Sequence, residues 1–327
     1  MEITTDIKRE KWSRFVEAHP MGNIFQAPEM SLVFEETDNY DPIMIAALED
    51  DEISGIVSGT LISEGKGIKG SFSTRCIVQN GPLIKGQESV GPLMEGLIKL
   101  VENGALYTQL RNGWDMSSMK SAFDSLGFSY EPHLNFLIDL ERDEEQVIAD
   151  MHKSRRKGVR RAVKRLKAIP INDLKGIDTG FELISKTYER VGVPLADKSL
   201  FISAFKNLQE RGYLKGFIAE DDGIPVASRI ALCYKDTVHD WYAGSDPDIK
   251  DVYANEFLVW KLLQYGCNGP YKAFDFGGGG HPDEFYGPRE FKRRFGGQEV
   301  NFGRFEKVHK PGKLAIGKAG LKVLNRF

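Results

Sequence analysis

Cysteine is scarce in this chain of 327 residues, which contains only Cys76, Cys233 and Cys267. The three are far apart, odd in number and without C-x-x-C spacing, which argues against a zinc ribbon or a dithiol redox centre and favours buried free thiols. The six histidines are scattered, and no group of His, Cys and carboxylate residues has metal-ligand spacing. We therefore expect no metal and no bound cofactor.

A long apolar run is also missing. No segment approaches the roughly 18 to 20 apolar residues that span a bilayer, and the first residues, MEITTDIKREKW, are charged where a secretory signal would be apolar. We expect a cytoplasmic protein, working at the inner face of the membrane if its substrate is lipid-linked.

Excess charge of one sign is the third absence, since the formal net charge is only -3. A surface that binds polyanions as a whole is therefore excluded, and any such role falls to local basic patches. The composition, 41% hydrophobic and 28% charged, is typical of a soluble globular protein, and the length has room for two domains.

Two stretches of the sequence look alike. IMIAALEDDEISGIVSGTLI begins at Ile43 and KGFIAEDDGIPVASRIALCY at Lys215, and each reads as strand, acidic turn, strand. A further strand, a helix (Val90 to Glu102 or Tyr253 to Cys267) and another strand follow in each half. This is the core order of a GNAT-like domain, so the pattern predicts an α+β protein of two tandem GNAT-like domains. Acidic β-turns are common in any α+β protein, which is the alternative interpretation.

A helix end and a turn between residues 127 and 140 mark the boundary of the domains. We predict an N-terminal domain over 1–134, a C-terminal domain over 135–310 and a basic tail or helix over 311–327. The tail carries an apolar stripe among lysines, so it suits either an anionic membrane surface or docking against the protein. Within the C-terminal domain, helical spacing predicts helices over Asp143 to Lys167, Thr179 to Val191 and Lys198 to Glu210.

The most unusual segment runs from Phe274 to Phe305 and reads FDFGGGGHPDEFYGPREFKRRFGGQEVNFGRF. Four consecutive glycines lose much backbone entropy on folding, so we expect a tight turn whose backbone something approaches closely. No Gly-Lys-Ser/Thr follows them and no G-x-G-x-x-G opens a helix, which excludes the usual nucleotide loops.

The Asp-Phe-Gly-Gly, Tyr-Gly-Pro and Phe-Lys-Arg-Arg-Phe-Gly-Gly motifs of this segment resemble the C-terminal signature of the FemAB family of aminoacyl and peptidyl transferases. The stretch from His19 to Gln26 resembles the N-terminal signature of that family. The resemblance implies two GNAT-like domains, without the coiled-coil arm that some members insert. It also implies amide formation on an amine of an anionic, lipid-linked envelope precursor, with aminoacyl-tRNA as co-substrate.

Acyl transfer to an amine needs a nitrogen that loses a proton and a cation where the carbonyl oxygen becomes negative. The resemblance assigns the cation to Lys292, the lysine of the Phe-Lys-x-x-Phe-Gly segment, although a surface lysine between two structural aromatics is the alternative. Asp275, at the end of a strand, is a candidate to accept the amine proton or to pair with Lys292. Tyr286 is the third catalytic candidate.

Further candidates would bind the substrate. Trp241 and Tyr242 are adjacent on a predicted strand, so we expect only one of them to face an acceptor pocket. The full set of candidate substrate contacts is Gly277, Gly278, Gly279, His281, Trp241, Tyr242, Arg293 and Arg294.

The residues from Lys153 to Lys167, KSRRKGVRRAVKRLK, form a basic helix without a single acid. A stripe of Val159, Val163 and Leu166 would face the protein. The candidate phosphate or RNA contacts on the other side are Arg156, Lys157, Arg160, Arg161 and Lys164. A solvated helix whose charged stems cover apolar surface is the alternative.

The second half lacks the Q/R-x-x-G-x-G/A pattern with which GNAT domains hold acetyl-CoA, and residues 243–248 read AGSDPD at that place. Acyl-CoA is therefore the less expected donor. Two alternatives stay open: an acyl-CoA-dependent N-acyltransferase of a sugar or lipid amine, and a non-catalytic module that binds RNA or an envelope precursor.

Overall fold

The structure, a computed structural model, describes residues 1–65, 67, 70, 72–250 and 252–316. The chain forms two compact units, one made of Met1–Pro132 with the segment from Phe302 onward and the other of His133–Asn301. Each unit has one mixed β-sheet flanked by helices, which confirms the predicted α+β class.

In the N-terminal unit the sheet has the strand order β1-β2-β3-β4-β6-β15-β7, with β5 beside β3. Its strands are β1 (Glu2–Thr4), β2 (Tyr40–Glu49), β3 (Glu52–Ile62), β4 (Arg75–Gln79), β5 (Leu83–Ile84), β6 (Tyr107–Arg111), β7 (Ser129–Glu131) and β15 (Arg304–Val308). Its helices are α1 (Arg9–Ala18), α2 (Pro28–Glu35), α3 (Val90–Val101) and α4 (Lys120–Ser125). Leu93, Leu97 and Val101 recur at helical spacing on α3 and are fully buried against the sheet.

The last strand of this sheet corrects the predicted domain limits. β15 pairs antiparallel with β6, from Arg304 opposite Arg111 to Val308 opposite Tyr107, and Phe305 is buried in the core of the N-terminal unit. Residues 302–310, which the sequence analysis assigned to the C-terminal domain, therefore belong to the other unit. Residues 311–316 are helical, and the rest of the predicted tail lies outside the described residues.

The His19 to Gln26 motif anchors the first helices to this sheet. The Gln26 side chain is fully buried and donates to the carbonyls of Ser58 (3.1 Å) and Gln79 (2.8 Å), while its oxygen accepts from the Ser58 N–H (2.8 Å). A side-chain amide thus bridges β3 and β4 beyond their paired residues, and the motif has a structural role here.

In the C-terminal unit the strand order is β14-β8-β13-β12-β11-β10-β9. The strands are β8 (Leu134–Asp139), β9 (Lys167–Pro170), β10 (Leu214–Asp221), β11 (Ile224–Tyr234), β12 (Thr237–Ser245), β13 (Ala273–Gly280) and β14 (Gln298–Asn301). The helices are α5 (Glu144–Asp150), α6 (Lys153–Arg165), α7 (Leu174–Val191), α8 (Lys198–Leu208), α9 (Ala254–Cys267) and α10 (Gly287–Arg293). Apolar residues of α9 pack with Val238 of β12 and Phe274 of β13 in the core.

The single helix predicted from Asp143 to Lys167 is two helices. Asp143 forms a capping box at the start of α5, and the His152 side chain accepts the Ser154 N–H at the start of α6. Met151 between them is extended, because a second N-cap begins a new helix there. Among the described residues, no helix is both long and apolar enough to cross a bilayer.

Candidate functional site

The neighbouring parallel strands β12 and β13 separate in the middle of the C-terminal sheet. They share the pairs Thr237 with Ala273, Val238 with Phe274 and His239 with Asp275. Beyond these pairs β13 stays bonded to β8, and β12 stays bonded to β11. We call the space between the two strands beyond His239 and Asp275 the strand opening.

The four glycines from Gly277 to Gly280 do not form the predicted turn, because they continue β13 along this opening. Their pairing with β8 has two register shifts. Gly277 has a φ of 68°, which disfavours a side chain, and a Cβ on Gly279 would lie 2.7 Å from a ring atom of Phe136. Glycine is required because the strand is irregular and closely packed.

Lys292, on α10, reaches back to the part of β13 that has left β12. Its Nζ donates to the carbonyls of Phe276 (2.5 Å) and Gly278 (2.9 Å). An ammonium has three protons, so these two bonds leave one donor. The predicted cation is thus held at a fixed place beside the glycines, which is what stabilisation of an oxyanion requires.

The electrostatic surroundings of Lys292 are unusual for a lysine. Burial lowers its pKa to about 8, the carboxylates of Asp240 and Asp275 act to raise it, and the Arg229 guanidinium lowers it. Asp240 and Arg229 form a buried ion pair of 2.5 Å across β11 and β12, which the sequence analysis missed. At neutral pH Lys292 is mostly charged, and it gives up its proton more readily than an ordinary lysine.

Asp275 is buried, and each of its carboxylate oxygens has a partner. One oxygen accepts from the Gly277 N–H (2.7 Å) and the Asn135 amide (2.9 Å), and the other lies 3.2 Å from Nδ1 of His239. Burial alone would raise the Asp275 pKa, but His239 and the two donors together lower it below the ordinary value. These contacts indicate that the Asp275 carboxylate orients the groups it bonds, including the His239 ring. Among the described residues Asp275 forms no direct ion pair with Lys292, so the predicted pairing of the two is not observed.

A buried arginine that the sequence analysis missed holds the loop after β13. Arg289 donates from Nε to the Gly279 carbonyl (2.8 Å), from Nη1 to that of Pro282 (2.9 Å) and from Nη2 to that of His281. Tyr286 is partly exposed and its ring covers Gly280. The loop therefore presents His281 and Tyr286 on a fixed backbone. Arg293, by contrast, is exposed and pairs with surface carboxylates.

Trp241 and Tyr242 lie on the same side of β12, so the expectation that they face opposite sides is wrong. The register shift between Ile230 and Ala231 makes Trp241 the extra residue of a β-bulge. The two rings meet edge to face with centroids 4.9 Å apart, and both contact the Phe201 ring at 5.9 and 4.8 Å. Both aromatics are thus available to one surface.

A cavity of about 440 Å³ is lined by α7, by the loop that follows it and by the first residue of α8. Phe181, Tyr188 and Leu195 give it an apolar wall, and the charged residues of its lining are Glu189, Asp197 and Lys198. The Tyr188 ring lies 6.0 Å from that of Tyr242, so the cavity continues the aromatic surface.

The outer face of α6 matches the predicted basic patch with two changes. Val159 and Leu166 are buried as predicted, whereas Val163 is 46% exposed and Ala162 takes its place. Arg156 is half-buried and donates to the Ala149 carbonyl at 2.5 Å. The remaining candidates, Lys157, Arg160, Arg161 and Lys164, are exposed, and none has an ion-pair partner within the described ranges.

Arg155 of the same helix points inward, which the sequence analysis did not anticipate. It is buried, forms an ion pair with Glu256 of α9 and stacks 4.4 Å from the Phe291 ring centroid and 4.8 Å from that of Phe295. These two aromatics flank Lys292 on α10. Arg155 thus joins the basic helix to the helix that carries the candidate cation.

Two arginines of α6 make a matched test of this arrangement. Arg155→Met strands the Glu256 charge in the interior, and we expect the free energy of unfolding to fall by about 3–5 kcal/mol. Arg165→Gln removes a pair with Asp221 whose arginine is exposed, and we expect no measurable change. Urea denaturation followed by circular dichroism measures both. Equal stability of the two variants would contradict the buried role of Arg155.

Comparison with known proteins agrees with this geometry. Residues 153–293 match the acetyltransferase (GNAT) domain family. The chain is 24% identical over 246 residues to a lipid II:glycine glycyltransferase of Staphylococcus haemolyticus, covering 69% of this chain and 57% of the relative. It is 22% identical over 234 residues to the Staphylococcus aureus enzyme of the same name, covering 66% and 54%. The chain therefore spans a little more than half the length of these relatives.

Two solved structures share the whole architecture. The crystal structure of FemX superposes with a TM-score of 0.74 at 17% identity, covering 97% of this chain and all of the other. A tandem GNAT protein from the clavulanic acid biosynthesis pathway superposes with a TM-score of 0.57 at 9% identity, covering 92% and 93%. The chain thus has the tandem GNAT fold of FemX, and its predicted resemblance to the FemAB family is confirmed.

Proposed function

We propose that this protein is an aminoacyltransferase that forms an amide on an amine of a cell-envelope precursor, and that the reaction takes place at the strand opening. The observation that carries the proposal is the Lys292 ammonium, which two strand carbonyls hold in place with one donor remaining. Similarity to lipid II:glycine glycyltransferases supports a lipid-linked acceptor at the inner face of the membrane.

In this reaction the acceptor amine attacks the ester carbonyl of the donor. A C–N bond forms, the carbonyl oxygen becomes negative, and the Lys292 ammonium donates a hydrogen bond to it. The ester C–O bond then breaks, and the leaving hydroxyl takes up the proton that the amine has lost. Lys292 acts on the charge that develops in the transition state and needs no covalent intermediate.

The donor we propose is aminoacyl-tRNA, because the turn before α9 is a poor site for coenzyme A. In that turn Asp246 accepts the Asp248 N–H (3.0 Å) and pairs with Lys186, and Glu256 lies in the first turn of α9. The Asp248 N–H is thus already bonded within the turn, and residues 243–248 lack the glycine pattern whose backbone N–H groups would hold the diphosphate of an acyl-CoA. The exposed cations of α6 instead suit an RNA backbone.

The acceptor site we propose is the surface of Trp241 and Tyr242 together with the neighbouring cavity. Aromatic rings and apolar walls suit sugar and peptide groups. A lipid-linked acceptor would bring the protein to the membrane surface.

Glycyl transfer measures the proposed activity directly. Radiolabelled glycyl-tRNA and lipid II are incubated with the protein, followed by assays with the full set of aminoacyl-tRNAs, and products are identified by mass spectrometry. Lys292→Met should lower kcat by about 10²–10³-fold, because one oxyanion donor is lost. Lys272 is an exposed lysine of the same unit, and the control variant Lys272→Met should keep full activity.

Two results would contradict the proposal. One is transfer from acetyl-CoA with none from any aminoacyl-tRNA, which would favour the N-acyltransferase alternative. The other is tight binding of RNA or lipid II without turnover, which would favour a binding module.

Binding of tRNA tests the basic face of α6. A combined variant changes four residues of α6 to Gln, namely Lys157, Arg160, Arg161 and Lys164. It removes four phosphate contacts, so the slope of log K against log salt should flatten by about 3. The control changes Lys8, Lys85, Lys99 and Lys120, exposed lysines of the other unit, to Gln and alters net charge equally. Filter binding of tRNA at about 50 to 300 mM salt measures both slopes, because the affinity is expected to fall steeply over roughly this range. Equal slopes for the two variants would show that α6 does not contact RNA.

A further inference from the structure

A histidine that the proposed reaction has not yet used lies at the base of the strand opening. His239 of β12 is opposite Asp275 of β13, in the last pair before the strands separate. We infer that His239, oriented by Asp275, is the general base that accepts the proton of the acceptor amine. The inference rests on the proposed function, because it assigns a residue to that reaction.

The hydrogen bonds around Asp275 determine which ring nitrogen is basic. One carboxylate oxygen accepts from Gly277 and Asn135, and the other lies 3.2 Å from Nδ1 of His239. An ionised carboxylate only accepts hydrogen bonds, so we assign the proton of the neutral ring to Nδ1 and the basic lone pair to Nε2. The His239 side chain is 18% exposed, so the ring is reachable by a substrate.

Gly277 lies beside both the carboxylate that orients the base and the candidate cation. The Gly277 N–H donates to Asp275, and a Cβ on Gly277 would lie 4.0 Å from Nζ of Lys292. Asp275, the partner of His239, and the Lys292 ammonium therefore both lie beside one glycine, just beyond the last pair of β12 and β13. Aminolysis needs this combination of a base for the nucleophile and a donor for the oxyanion within reach of one reacting carbon.

Proton balance at the dyad is complete. Attack of the amine forms the C–N bond and leaves a positively charged nitrogen and a negative oxygen. Nε2 of His239 takes the nitrogen's proton, and the resulting imidazolium, stabilised by the Asp275 carboxylate, gives it to the leaving hydroxyl as the C–O bond breaks. His239 returns to the neutral form, and no other reactant is needed.

His239→Gln is the decisive variant, because glutamine keeps a donor for Asp275 and has no basic nitrogen. We expect kcat for glycyl transfer to lipid II to fall by about 10²–10⁴-fold, with KM and the melting temperature unchanged. The limb of the pH profile due to the base should disappear. The other charged groups at the site, Asp240, Arg229 and Lys292, are unchanged in this variant. His133→Gln, a histidine of the same unit outside the opening, is the matched control.

A weakly basic acceptor separates base catalysis from a structural role. The probe is hydroxylamine, whose nitrogen, once it has attacked, loses its proton to water much more readily than that of an ordinary amine. The fold loss of rate caused by His239→Gln should therefore be at least ten times smaller with hydroxylamine than with lipid II. An equal loss with both acceptors would overturn the inference, because it would show that His239 only maintains the structure.

Nitrogen NMR of the imidazole gives a result that does not depend on activity. Wild type should show the proton on Nδ1, and Asp275→Asn should lose this preference. A proton on Nε2 in wild type would overturn the inference whatever the assays show.

If wild type transfers no aminoacyl group to any acceptor, the proposed function fails. If wild type is active and His239→Gln retains its kcat and pH profile, only the role of His239 fails.

Discussion

The strand opening depends on one contact, between an ammonium and two backbone carbonyls. β13 leaves the ladder with β12 after Asp275, and the carbonyls of Phe276 and Gly278 bond to Nζ of Lys292. A buried carbonyl without a partner would cost on the order of 1–3 kcal/mol, so the lysine stabilises the separated strands. The nearby carboxylates of Asp240 and Asp275 in turn oppose the loss of the Lys292 charge on burial. Structure and proposed chemistry therefore use the same cation.

The surrounding parts of the C-terminal unit keep this contact in place. Arg289 bonds three carbonyls of the glycine strand and its loop, and Arg155 stacks on both aromatics that flank Lys292. Because Arg155 belongs to the basic helix, the proposed RNA-binding face and the proposed oxyanion donor are parts of one packed arrangement. Arg289 and Arg155 thus each bond or stack on groups from more than one segment of the fold.

The sequence predicted the α+β class and most helices and strands, because these follow from periodicity, and a local motif made Lys292 a candidate. It did not predict features that arise from pairing over long distances. The glycines continue a strand because β8 lies against them, Trp241 shares a side with Tyr242 because of a bulge opposite β11, and β15 joins the sheet of the first unit. Arg155 was indistinguishable from its basic neighbours, and His239 carried no motif, since its significance depends on Asp275 across the ladder.

The central claim is that the Lys292 ammonium is buried in the strand opening, and its titration tests this most directly. Selective isotope labelling of lysine and NMR from pH 6 to 11, a range that brackets the ordinary lysine pKa of about 10.4, would follow Lys292 by comparison with Lys292→Met. We predict a pKa of about 8, and a lower pKa in Asp240→Asn, because that carboxylate acts to raise it. A pKa near 10.5 that does not respond to Asp240→Asn would contradict the account, because it would place the ammonium in solvent.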